Sequence, residues 1–190
     1  MTDYREKIDW YIKTEKQVLD TLSAVEISQV MNVLEDARLE RKRIFICGNG
    51  GSASTASHFE CDFNKGISYD QEIKYDIECL SDNVPMMVAI ANDIGYDDIF
   101  VVPLKNKLKA GDIVIGISGS GNSENVIRAF HYANEAGAET IAFTGYDGGK
   151  LKKIAKHNIH VAVENMQITE DIHLILNHMM MYILSGMKGC

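Results

Sequence analysis

The chain is short of most features that would send it out of a cell, into a bilayer or onto nucleic acid. Proline is scarce, at 2 residues in 190, and no linker, low-complexity tract or tandem repeat divides the sequence. No stretch approaches the roughly 18 apolar residues of a membrane span, so no membrane partner is expected. The N-terminus, Met1-Thr2-Asp3-Tyr4-Arg5, lacks the apolar core of a signal peptide, which makes the cytoplasm the default location. Cys47, Cys61, Cys79 and Cys190 form no CxxC pair and read as reduced thiols. A basic face is missing too: the net charge of −8 argues against nucleic acid as a partner. It also means that any bound phosphate is held by local dipoles and hydroxyls against the overall field. What is present is an ordinary globular composition, 46% hydrophobic and 24% charged, at a length suited to one well-buried domain.

The first forty residues read as a helical pair. Ile8, Tyr11, Ile12 and Val18 suit one apolar face, and Ile27, Val30, Met31 and Leu34 another. Lying outside any strand-helix repeat, residues 1–41 are expected to pack on another subunit. From residue 42 the pattern alternates. Strands are expected at 43–47, 73–80, 112–118, 139–144 and 158–163, and helices at 52–65, 86–93, 97–108, 122–136, 149–155 and 168–186. Several strands are continuous apolar runs, as when helices cover both faces. The alternation implies an α/β fold: a three-layer αβα sandwich on a parallel sheet. Ligands of such sheets bind beyond the strand carboxyl ends, where the strand order reverses.

Two strands end in serine- and glycine-rich turns. The first runs Cys47-Gly48-Asn49-Gly50-Gly51-Ser52 and the second Ser118-Gly119-Ser120-Gly121-Asn122-Ser123. Each aims backbone N–H groups, hydroxyls and a helix N-terminus at one spot, which suits phosphate. The first loop lacks the lysine of a nucleotide-hydrolysing P-loop, and Ala53 stands at the third position of a GxGxxG pattern. Its plain alternative is a tight turn with Ser52 as N-cap. The second loop carries more hydroxyls than capping needs, which favours an anion.

With Ala91-Asn92-Asp93 between them and Phe143 through Lys150 after them, these segments resemble the sugar isomerase (SIS) domain family, closest to its phosphoheptose isomerases, over nearly the whole chain. The resemblance implies five parallel strands in flavodoxin-like order and a homotetramer with shared active sites. It implies that Ser52, Ser118, Ser120 and Ser123 hold a sugar phosphate while Asn92 and Asp93 contact the sugar. Asn49, Gly50, Gly51 and Gly119 complete the candidate binding set. Gly119 stands where the heptose enzymes usually carry threonine.

His58, Cys61 and Asp62 fall at i, i+3 and i+4 and can share a helical face. Glu170, His173 and His178 follow on the last helix, each with an ordinary reading as a surface or packing residue. Glu170 and His178 are separated by about 12 Å of helix rise, so spacing alone does not pair them. The resemblance does: it implies that His58, Asp62, Glu170 and His178 surround a zinc ion, with Asp62 and His178 as the proton-transfer pair. Asp62 and Glu170 replace the family's glutamate and glutamine, and Asn64-Lys65-Gly66 stands where an arginine is usual. Two histidines and two carboxylates make a Zn²⁺ shell, with Cys61 as a reserve soft ligand. The expected function is aldose–ketose isomerisation of sedoheptulose 7-phosphate through an enediol. The alternatives are a non-catalytic phosphosugar-binding or regulatory module and an isomerase of a different phosphosugar.

Overall fold

The computed structural model describes residues 2–186; Met1 and residues 187–190, with Cys190 among them, lie outside the described residues. Two helices come first, α1 (Arg5–Leu19) and α2 (Ala24–Leu39). Ser23 opens α2 with its hydroxyl accepting from the Glu26 N–H at 3.2 Å, the serine half of a capping box. The sheet then builds from β1 (Ile44–Gly48), β2 (Ile77–Cys79), β3 (Ile113–Ser118), β4 (Glu139–Thr144) and β5 (His157–His160). All four pairings are parallel, and the order is β2-β1-β3-β4-β5. The chain reverses direction across the sheet between β1 and β3, and both serine-glycine loops leave the carboxyl ends of those two strands.

Period-two alternation within the apolar runs makes the three layers. Ile44 and Ile46 of β1 face a core with Ile115, Ile141 and Phe143, closed by residues of α1, α2, α3 (Gly51–Cys61) and α8 (Met166–Leu184). Phe45 and Cys47 face the opposite core, with Val114 and Ala142. That core is covered by α4 (Val84–Asp93), α5 (Val101–Lys107), α6 (Glu124–Glu135) and α7 (Gly149–Ile154).

Several expected boundaries shift. β2 keeps only three of its eight expected residues, because Tyr75 is drawn off to bond Glu35 and the Ile73 carbonyl accepts from Arg38. The expected helix 97–108 divides into a 3-10 turn, Tyr96–Asp98, and α5. The expected helix 52–65 is α-helical only to Cys61 and continues as a π-helix over Asp62–Ile67, a wide turn often found at functional sites. On α1, Val18 is buried and Tyr11 half-buried, but Ile8 and Ile12 are exposed, so the expected single apolar face is split. Cys47, Cys61 and Cys79 are free thiols.

Candidate functional site

The first loop turns at Gly50, whose φ of +56° is a conformation glycine adopts without strain. Gly50 is the N-cap of α3, and Ser52 lies inside the first helical turn, buried. The capping role considered for Ser52 therefore falls to glycine. No side chain caps α3, so its first N–H groups are left for another acceptor. A carboxylate already lies close by: a Cβ on Gly51 would sit 2.4 Å from Oε2 of Glu170.

In the second loop the Ser118 and Ser123 hydroxyls lie 3.2 Å apart. Ser123 is the N-cap of α6 by position but makes no side-chain cap bond. Its hydroxyl is turned to that of Ser118 instead. Ser120 accepts from the Asn122 N–H at 3.2 Å. The segment after β4 braces this loop. The Gly145 N–H donates to the Gly119 carbonyl at 2.8 Å, and Gly121, with φ +64°, presses so close that a Cβ would meet the Gly148 carbonyl at 2.0 Å. A Cβ on Gly119 would meet Met166 Sδ at 2.7 Å, so the start of α8 fills the space beside it.

The Asn49 side chain is engaged within the protein. Its carboxamide is paired twice with that of Asn125, at 2.9 Å each way, and accepts from the Tyr96 hydroxyl at 2.9 Å. The bracket ties the first loop to α6 and to the segment carrying Asn92 and Asp93, both exposed, with the Asn92 amide donating to Asp93 at 2.8 Å. The bond between Asn125 and Asn49 carries no motif in the sequence, and Tyr96, close after Ala91-Asn92-Asp93, has no sequence signal for its bond to Asn49. Only the fold discloses them.

The acid and the imidazoles meet two turns further along α3. His58 Nε2 lies 2.9 Å from His178 Nε2, and Asp62 Oδ2 lies 3.4 Å from the first and 4.0 Å from the second. Both imidazoles are about half exposed, whereas the Asp62 side chain is 12% exposed. The three ligand atoms lie within 4.8 Å of one another, a donor set of two imidazoles and a carboxylate that fits a divalent zinc ion with a coordination position to spare. Glu170 and Cys61 do not join this group; Glu170, two turns up α8, is against Gly51. A groove of about 460 Å³ lined by Ala53, Ser54, Ser57, His58, Cys61 and Asp82 opens beside the histidines.

Behind Asp62 stands Asn177, fully buried, whose Nδ2 donates to Asp62 Oδ2 at 2.7 Å. Its Oδ1 has no partner among the described residues, an omission that costs about 1–3 kcal/mol. His173 is also buried. Its Nε2 meets the Thr144 carbonyl at 3.4 Å, and since a carbonyl only accepts, Nε2 carries the proton and Nδ1 is left unpaired. Burial pushes this imidazole down to about 4, against the partial opposition of the Thr144 bond. A second metal-capable group, Glu60, Cys79 and Asp82, is already committed to the fold: Glu60 accepts from the Cys79 N–H at 2.6 Å and Asp82 from Ser57 at 2.9 Å.

The SIS domain signature matches residues 10–145. The chain is 32% identical over 165 residues to the phosphoheptose isomerase of Helicobacter pylori strain P12, covering 87% of this chain and 85% of that one. It is 33% identical over 169 residues to the probable phosphoheptose isomerase of Thermoplasma acidophilum, covering 89% and 92%. Among solved structures, the phosphoheptose isomerase of Neisseria gonorrhoeae superposes with a TM-score of 0.88 at 27% identity, over 97% of this chain and all of that one. The chain belongs to the SIS domain family.

Proposed function

We propose that this protein is an aldose–ketose isomerase that converts sedoheptulose 7-phosphate to D-glycero-D-manno-heptose 7-phosphate. The observation that carries the reading is the meeting of Asp62, His58 and His178 two turns down the helix that the first loop opens. A substrate with its phosphate at one end of the sugar and its reacting carbons at the other fits that separation. The relatives named phosphoheptose isomerase support the seven-carbon choice.

In this reading Ser52, Ser118, Ser120 and Ser123, with the loop N–H groups, hold the phosphate, and Asn92 and Asp93 contact the sugar. The Asp62 carboxylate removes the C1 proton of the ketose. The electron pair forms the C1–C2 double bond as O2 gains a proton, giving a cis-enediol. Return of a proton to C2, with loss of the O1 proton, yields the aldehyde. His178, beside Asp62 on the facing helix, is the partner acid, since an imidazole can both give and take a proton. His58, Asp62 and His178 would hold zinc, which when bound polarises a carbonyl oxygen and stabilises the enediolate. Glu170 would have to leave Gly51 to become a fourth ligand.

Incubation with sedoheptulose 7-phosphate, with and without added Zn²⁺, tests the reading: the aldose should appear by NMR, and its absence in both overturns it. Parallel incubations with pentose and hexose phosphates decide whether another phosphosugar is preferred. We also propose one SIS domain over residues 1–190, assembled as a homotetramer with shared sites. Tyr4, Ile8 and Ile12 form an exposed apolar stripe along α1, and Val84 and Val88 another on α4, which supports burial between copies. A monomer in sedimentation analysis would overturn it. A doubly charged sugar phosphate does not cross a bilayer, so the proposed location is the cytoplasm.

A further inference from the structure

We propose that Asn177 is the positioning residue of Asp62: its amide holds the carboxylate turned toward His58 and His178. The inference rests on the isomerase reading for its kinetic consequence, but its geometric content stands apart from it.

Asn177 is fully buried on α8, amid Ile172, Leu176 and Met180, which are fully buried as well. An apolar side chain would be at home there. An asparagine instead leaves Oδ1 without a partner among the described residues, a cost that a purely structural residue would not retain. What it gains is one bond, from Nδ2 to Asp62 Oδ2 at 2.7 Å. That is the single hydrogen bond that the Asp62 carboxylate accepts among the described residues.

The geometry explains why the bond matters. The terminal torsion of an aspartate is broad and roughly two-fold, so the side chain alone does not fix which way its oxygens point. Asp62 opens the π-helical turn after α3, and its carboxylate spans to α8. There, two consecutive residues address it from different sides. Asn177 bonds it from the buried side, and His178 faces it from the solvent side at 4.0 Å. The same Oδ2 that takes the amide hydrogen is the atom nearest both imidazoles. A donor fixed to a ligand or base in this way sets its direction, and losing such a partner commonly costs 10- to 100-fold in metal affinity or activity.

The test replaces the amide by a side chain of similar bulk, Asn177→Leu, with Asn177→Ser as the second variant should leucine disturb folding. Three readouts are taken on the full chain. In a crystal structure of the variant, the Asp62 carboxylate should turn away from His58 and His178. Affinity for Zn²⁺, measured by competition with a chromophoric chelator, should fall about 10-fold. With sedoheptulose 7-phosphate, kcat should fall by about the same factor while KM changes little. An Asp62 carboxylate that keeps its direction in the variant overturns the inference, as does retention of wild-type kcat and zinc affinity. A wild-type chain with no isomerase activity overturns the proposed function alone, and the Asp62 direction still decides the role of Asn177.

Discussion

His173 and His178 lie five residues apart on α8, yet the fold gives them opposite environments. His173 is 1% exposed, edge-on to Phe143 at 5.9 Å between ring centroids, and held neutral by burial. His178 has a side chain 53% exposed and stands edge-on to His58 at 5.1 Å. Five residues along a helix amount to 500° of rotation, so the two rings leave the axis in different directions. One direction leads into the core beneath β4 and the other into the space shared with α3. Residue type therefore says little about role here. What decides it is the side of α8 on which an imidazole lies.

The largest effect should come from the solvent side. His178→Ala should lower kcat by about 10²- to 10⁴-fold, the usual worth of a proton-transfer group, while stability moves by no more than about 0.5 kcal/mol. A variant that unfolds early and keeps its turnover would break the contrast. His173→Ala should do the reverse, losing about 2–5 kcal/mol of stability in urea titrations through the cavity it leaves, with turnover of the folded fraction retained.

Acid should sharpen the same contrast. The folded-state pKa of His173, about 4, lies below the 6.5 of a free imidazole, so the unfolded chain binds the extra proton first. Above about 6.5 both states are neutral and the group has no effect. As pH falls from 6.5 toward 4, stability is lost, by up to about 3 kcal/mol in total. His173→Leu should flatten that slope in urea unfolding between pH 7 and pH 4.5, and an unchanged slope would place the acid sensitivity elsewhere.

The smallest effects belong to the cradle. Ser118→Ala should raise KM for the sugar phosphate about 10-fold, as expected for one hydrogen bond to a charged group, with kcat little changed. Gly119→Ala asks only that Met166 Sδ move from a 2.7 Å contact. Since methionine is flexible, less than about 1.5 kcal/mol should be lost.

Much of the fold is legible in the chain. The parallel sheet follows from the apolar runs Ile44–Cys47 and Ile113–Ile117, whose alternate residues fill two cores. The two serine-glycine turns are equally legible, because the residues of such a turn are contiguous in the sequence. Less legible are the bounds of β2 and of the helix after the first loop. Both were set by partners far along the chain: Glu35 reaching Tyr75, and α8 packing on the π-helical turn. The bracket made by the Asn49 side chain is not legible either. Its partners, Asn125 and Tyr96, lie 76 and 47 residues away.

The sequence by itself therefore determined the αβα architecture, the two phosphate-suited turns and the residue types available for chemistry, because periodicity and turn composition are local properties. Only the tertiary structure decided that His58, Asp62 and His178 meet, that Glu170 lies against Gly51, and that Asn177 bonds Asp62 across 115 residues of chain. Those contacts depend on how α3 and α8 pack over one face of the sheet. No local pattern encodes the direction in which a side chain leaves one helix to meet another.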